Sequence, residues 1–289
     1  MGKILTMHFD GEIIIEGNRP WWKLRGKELW SYRDLLMLMV RRDFLSRYRQ
    51  TILGPTWYLI QPLITVLVFT VIFGRFAGIS TDGLPQFLFY QCGLLGFTLA
   101  SQIFAGTATS FTSNAALYGK VYFPRLIPPM GNCIIQLVPF ILQGISLMGF
   151  WIYFKYFTEA GMILKITPIA GFLPLMILHL MCIGLGLGLL SSALTAKYRD
   201  LSHMVPFIGQ IWMYASPVIY PMSQVPEKWR WVAQLNPASP IIEWFRVAFL
   251  GNGTFSWSAY GYSVGLTLVI FVIGFLAFQR TERTFVDTV

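Results

Sequence analysis

Charge is what this sequence has least of. Only 12% of its 289 residues are Asp, Glu, Lys or Arg, while 55% are apolar and the mean hydropathy is +0.58. That charged share is about half that of an average soluble domain. The few charges are also clustered. None falls within residues 50–74, 83–119, 126–154, 166–196, 201–226 or 247–279. Each gap exceeds the roughly 20 residues a helix needs to cross a bilayer. A soluble enzyme and a disordered chain are thereby excluded. Cysteine is scarce too: Cys92, Cys133 and Cys182 all sit inside charge-free runs without CxxC spacing, so a disulfide scaffold is excluded as well.

Further absences narrow the chemistry. Histidine occurs three times, at His8, His179 and His203, far apart and with no HExxH, so no metal site is expected. His179 is expected to be a hydrogen-bonded packing residue. Gly26-Lys27 and Gly119-Lys120 lack the upstream Gly and the following hydroxyl residue of a phosphate-cradling G-x-x-x-x-G-K-[ST] loop. The chain is therefore not expected to hydrolyse ATP by that route. No span carries a central carboxylate, which ion-coupled transporters usually need near the midplane. Energy, if used, is expected from another subunit. The first 28 residues have no apolar h-region, so no cleavable signal is expected.

What remains is a polytopic all-α membrane protein. The spans drawn are 52–74, 87–108, 130–154, 168–194, 204–221 and 258–279. With the N-terminus inside, sixteen of the 22 Lys and Arg fall on the inner side, which places both termini in the cytoplasm. Without the segment before residue 51 the count is even, so the orientation rests on that segment. The net charge of +9 lies in the flanks of apolar runs and suits anionic lipid headgroups; no nucleic-acid partner is expected.

Residues 1–50 form a cytoplasmic segment, 51–280 the transmembrane domain and 281–289 a tail. Asp10-Gly11 is a weak hairpin signal, and Trp21 and Trp22 suit headgroup depth. Residues 28–49 lack Gly and Pro. Leu29, Tyr32, Leu36, Val40 and Phe44 recur at helical spacing, with Arg33, Asp34, Arg41, Arg42, Arg47 and Arg49 on other faces. That pattern suits a helix lying in the membrane interface. Residues 222–257 are too apolar for a loop and too rich in Pro and Trp for a span. Two short re-entrant helices are expected there, covered by protein or water. Gly184 and Gly188 share a helix face at GxxxG spacing, which points to close helix packing. Aromatic residues fill the spans, and a subset lining a pore would offer sugar rings flat apolar faces.

Ordered motifs now become recognisable: Leu29-Trp30-Ser31-Tyr32-Arg33-Asp34, Arg47-Tyr48-Arg49-Gln50-Thr51-Ile52-Leu53-Gly54-Pro55-Thr56-Trp57, Gln61-Pro62-Leu63, Val121-Tyr122-Phe123-Pro124-Arg125, Tyr198-Arg199-Asp200, Ser216-Pro217-Val218-Ile219-Tyr220-Pro221 and Leu235-Asn236-Pro237. In that order the chain resembles the permease subunit of polysaccharide-exporting ABC transporters, the O-antigen, capsule and teichoic-acid exporters of the type-2 ABC exporter superfamily. The motifs look most like the O-antigen branch. The resemblance implies a homodimer with two cytoplasmic ABC ATPase subunits that bind ATP and Mg; this chain itself would hold no cofactor. It implies a bacterial inner-membrane location, a channel at the dimer centre lined by the first and fifth spans, and a polyprenyl-diphosphate-linked polysaccharide as cargo.

Site residues follow from that resemblance. Tyr58, Phe69, Trp212 and Tyr214 are expected to line the channel. Arg41, Arg42, Arg47 and Arg49 either meet the lipid diphosphate or simply anchor the inner face. Lys120 and Arg125 are expected at the ATPase contact, with Tyr198, Arg199 and Asp200 either coupling there or forming a local ion pair and turn. Pro217, Pro221, Trp229, Glu243 and Arg246 would form an external gate. Two rival readings share much of this pattern: an exporter of another cargo such as a lipid, drug or haem, and a membrane enzyme acting on polyprenyl-linked glycan. A helical scaffold without transport is the third.

Overall fold

The computed structural model describes residues 26–48, 51–118, 120–121 and 123–284, and all regular structure among them is helical. The hairpin about Asp10-Gly11, the Trp21–Trp22 anchor and Arg49 lie outside the described residues. The interface helix forms in two pieces, α1 (Gly26–Ser31) and α2 (Arg33–Tyr48), with a turn at Tyr32. Leu29, Tyr32, Leu36 and Met39 pack against Phe123 and Ile127. The face picked out by periodicity is therefore turned to protein. A second set, Trp30, Met37, Leu38 and Leu45, is exposed beside Arg33, Arg41 and Arg42. This outer face interleaves large apolar and cationic side chains.

Among the described residues, five helices are long and apolar enough to cross a membrane. The first is α3 (Trp57–Phe69), with a 3₁₀ turn ahead of it and a π-helical turn, Thr70–Phe76, after it. Gln86 meets that turn by donating its amide to Gly74 O at 3.1 Å. Next is α4 (Gln86–Ala108), followed by the short α5 (Ser110–Ser113) and α6 (Ala115–Tyr118) and then α7 (Ile127–Phe157). At 31 residues, α7 is about 46 Å long and overshoots a hydrocarbon core of about 30 Å. Lys155, in its last turn, donates to Gly161 O at 2.6 Å and Leu164 O at 2.9 Å. The remaining long helices are α8 (Leu173–Lys197) and, at the C-terminal end, α12 (Trp257–Thr284).

The centre of the molecule is α4. Of its most apolar stretch 78% is buried, against 17% for α3, so α3 presents most of its surface outward. The α8 helix lies against α4 on one side and α12 on the other. Glycines set both contacts. A Cβ on Gly184 or Gly188 would press into α4 at Ile103 and Thr107, and one on Gly186 into the backbone of α12 at Phe271. The GxxxG expectation holds, with Gly186 adding a second groove on the opposite face.

The expected fifth span differs from a plain helix. Only α9 (Leu201–Tyr214) is helical, and its 14 residues reach about 21 Å. Pro217 disfavours helical backbone at Ser216, and residues 215–220 continue as turns. Two short helices follow, α10 (Glu227–Leu235) and α11 (Ser239–Leu250). Of these, α11 is buried along nearly its whole length and packs on α4, whereas Trp229 and Trp231 of α10 are exposed.

Candidate functional site

The broken end of α9 is where polar chemistry is concentrated. Residues Ser216–Ile219 are buried yet not helical, so their backbone groups need partners from elsewhere. Asn236, between α10 and α11, donates to Ser216 Oγ at 2.8 Å and to Ala215 O at 3.4 Å, and accepts from Trp212 Nε1 at 2.9 Å. Arg246 donates to Val218 O at 3.0 Å and to Glu243 Oε1 at 2.6 Å. Its guanidinium also lies over the Phe89 ring, 3.7 Å from the centroid. Glu243 in turn accepts from Met222 N at 3.4 Å and Thr254 N at 3.1 Å. The pair is 2% and 1% exposed. Glu243 and Arg246, expected at an external gate, form a buried staple that joins α11 to the non-helical segment after α9 and to the loop before α12. The spacing i, i+3 is the same for a surface pair and a buried one, so spacing alone does not separate them.

Pro217 and Pro221 are buried at this junction, and Trp229 stands outside it, 62% exposed. The segment is also latched to the α3–α4 loop. Ser223 donates to the Asp82 carboxylate at 2.8 Å, and Asn252 donates to Asp82 O at 2.9 Å. Asp82 holds φ at +52° in that turn. Ser223→Ala should speed amide exchange across residues 222–235 about fivefold, the equivalent of one hydrogen bond. Mass-detected deuterium uptake checks it; unchanged exchange would show the latch to be idle.

The residues expected along a channel separate into two groups. Phe69 is turned into the core against Phe73 and Tyr90, because α3 buries that face on α4. Trp212 packs edge-on against Phe97 and Phe104 with its N–H already bonded to Asn236. By contrast, Tyr214 is half exposed, and Tyr58 lies at a cleft edge where Arg47 donates to its hydroxyl at 3.2 Å. Around them α3 exposes Ile64 and Leu67, the π-helical turn after it exposes Val71 and Ile72, and α9 exposes Phe207, Ile208 and Ile211.

At the other end of the helices, Arg41, Arg42 and Arg47 are exposed, with Arg42 paired to Asp43 at 2.7 Å. Lys120, Tyr198, Arg199 and Asp200 are exposed too. Among the described residues no ion pair joins Arg199 to Asp200; the segment is a turn whose carbonyls accept from Ser202 N and His203 N. Arg125 is different. It is 9% exposed, lies over the Tyr118 ring and bonds to the Glu282 carbonyl. It ties the loop before α7 to the end of α12. In the middle of the bundle His179 Nε2 meets Thr267 Oγ1 at 2.9 Å, and Thr267 donates to Ser263 O at 2.7 Å. The threonine's proton is thereby committed, so the histidine is the donor, as a helix-packing residue should be.

This geometry is that of a multi-pass membrane protein: a buried helical hub, outlying α3 and α9 faces, and a broken, stapled segment before the last helix. Residues 34–250 match the ABC-2 type transporter family, and the chain belongs to it. It is a multi-pass transport permease, not an enzyme, and permeases of this family work with a separate ABC ATPase. The chain is 27% identical over 259 residues to the O-antigen export system permease protein RfbA of Klebsiella pneumoniae, a match covering 88% of this chain and 94% of the relative. It is 27% identical over 203 residues to RfbA of Myxococcus xanthus, covering 70% and 74%. The inner membrane transport permease YadH of Escherichia coli K12 is 24% identical over 233 residues, covering 75% and 83%.

Proposed function

We propose that this permease is one half of an ATP-driven exporter that moves a polyprenyl-diphosphate-linked, O-antigen-like polysaccharide outward across a bacterial inner membrane. The observation that carries the need for an external motor concerns charge. Among the described residues, Glu243 is the carboxylate set inside the helical body, and Arg246 already neutralises it. No acidic group is left there to bind a coupling ion. The names of the RfbA relatives point to the cargo.

Two copies of the chain face one another through α3 and α9, whose outward apolar faces need a cover. Tyr58 and Tyr214 then stand beside the path between them. Two ATPase subunits, carrying ATP and Mg, dock on the cytoplasmic side against α2, Lys120 and the Tyr198–Asp200 turn, and both termini lie on that side. Closure of the ATPases shifts the two permeases as rigid bodies. A polymer longer than the membrane advances by repeated strokes.

Co-expression with an ABC ATPase gene of the same genome tests this. A complex with one ATPase per permease is expected, whose hydrolysis rises when polyprenyl-linked glycan is added. A complex stimulated by lipid or drug and indifferent to glycan would shift the cargo to the rival exporter class. Absence of any ATPase in the purified complex would remove the motor.

A further inference from the structure

A second polar feature lies away from the staple, between α3, α4 and α7. These helices enclose a side-opening cleft of about 240 Å³. Gln61 of α3, Gln102 of α4, and Gln136 and Gln143 of α7 line it, with Arg47 and Tyr58 also on its wall. A narrower extension shares Pro62, Leu94 and Gln143 with it and reaches Gln91 and Ser146.

Carboxamides inside a span are unfavourable unless their hydrogen bonds are made. Here the protein makes only some of them. Gln136 donates to Asn132 Oδ1 at 3.1 Å, and Gln143 accepts from Thr98 Oγ1 at 3.2 Å. Each uses one amide atom and keeps the other. Among the described residues, the side-chain amides of Gln61 and Gln102 have no protein partner. Gln91 donates to Ser146 Oγ at 3.1 Å, but its own carbonyl oxygen is buried with no partner, in a residue 6% exposed. A ladder of half-used amides therefore runs along the cleft.

The order of groups constrains the ligand. A carboxamide presents a donor and an acceptor in one plane, which matches neighbouring hydroxyls or an acetamido group. Among the described residues no carboxylate lines the cleft wall to hold a cation. A hydrocarbon tail has no use for amides. One guanidinium suits a phosphate through charge-assisted hydrogen bonds, and Trp57, on the same wall, offers a flat apolar face.

We infer that the α3–α4–α7 cleft binds the glycosyl-phosphate headgroup of a lipid, with Arg47 on the phosphate and the glutamine amides on sugar hydroxyls. The inference rests on the cargo class proposed above and adds a place for it within a single permease, in a cleft whose Tyr58 wall borders the path between two copies. Arg47 is the hinge of the arrangement, since it can exchange its bond to the Tyr58 hydroxyl for one to phosphate.

The test uses the complete permease–ATPase complex in nanodiscs and native mass spectrometry of bound lipid. Three probes are titrated: polyprenyl-diphospho-N-acetylglucosamine, polyprenyl diphosphate and phosphatidylglycerol. Gln61 and Gln102 are both exposed in the single chain, so the Gln61→Leu/Gln102→Leu double variant should fold. It is expected to weaken the sugar-bearing lipid about tenfold and to leave polyprenyl diphosphate unchanged. Arg47→Gln should weaken both, and Gln61→Asn/Gln102→Asn should keep most of the sugar-lipid affinity. Equal weakening of all probes, or none, overturns the site. Phosphatidylglycerol displacing the sugar-bearing lipid at equal concentration also overturns it, by making the cleft a general phospholipid groove. A wild-type complex that binds no sugar-bearing lipid overturns the cargo reading and the site together. Wild-type binding that the leucine variant leaves intact overturns the site alone.

Discussion

Gly184→Val should leave almost no assembled permease to extract. The Cβ alone would overlap the Ala100 carbonyl oxygen and stand 2.9 Å from Ile103 Cβ. The first of these is backbone, so no rotamer change relieves it; α4 and α8 must move apart. Separation would open the contact on which the most buried helix depends. The expected loss is about 3 kcal/mol, the upper end of typical overpacking effects. Gly149→Ala on α7 is the control, since a Cβ there meets nothing within 4 Å; it should be neutral or slightly stabilising. Thermal unfolding of the detergent-purified protein and the monodisperse fraction on size exclusion measure both. A Gly184→Val permease that behaves like Gly149→Ala would mean that the glycine contact does not set the packing.

Arg246→Ala should be comparably severe for a different reason. It leaves the Glu243 carboxylate buried without its cation and strips Val218 O of its donor. Breaking a buried pair from one side typically loses about 3–5 kcal/mol. Glu243→Gln/Arg246→Met removes both charges and should recover part of that loss, because no uncompensated charge is left behind. The recovery should be incomplete, since Met222 N and Thr254 N are still served only by the amide that replaces the carboxylate. Midpoints of thermal unfolding for the three variants give the comparison. An Arg246→Ala protein as stable as wild type would show that the α9–α11 junction is held by apolar packing alone.

Much of this architecture is legible in the chain because membranes punish charge. The spans drawn within the charge-free runs fall within five residues of the ends of α4, α8 and α12, and the Pro- and Trp-rich composition of 222–257 announces α10 and α11. GxxxG spacing identifies a packing face without a structure. Other features depend on which way a side chain turns. Phe69 and Tyr58 are both aromatic and both on α3, yet one is buried against Tyr90 and the other lines a cleft. Helical phase within an all-apolar span carries no signal for that choice, since either face satisfies lipid. The glutamine ladder is hidden for another reason. Its members come from three helices up to 82 positions apart, from Gln61 to Gln143, and only their assembly shows that their amides converge.

The shortness of α9 bears on how the chain is made. A 14-residue helix of about 21 Å cannot span the bilayer while it leaves the ribosome and translocon alone. Its polar, non-helical end and the charged Glu243–Arg246 pair become tolerable in lipid only once α4 shelters them. Residues 201–250 therefore depend on α4, made before them, for shelter in the membrane: α11 packs on α4 and buries the charged pair.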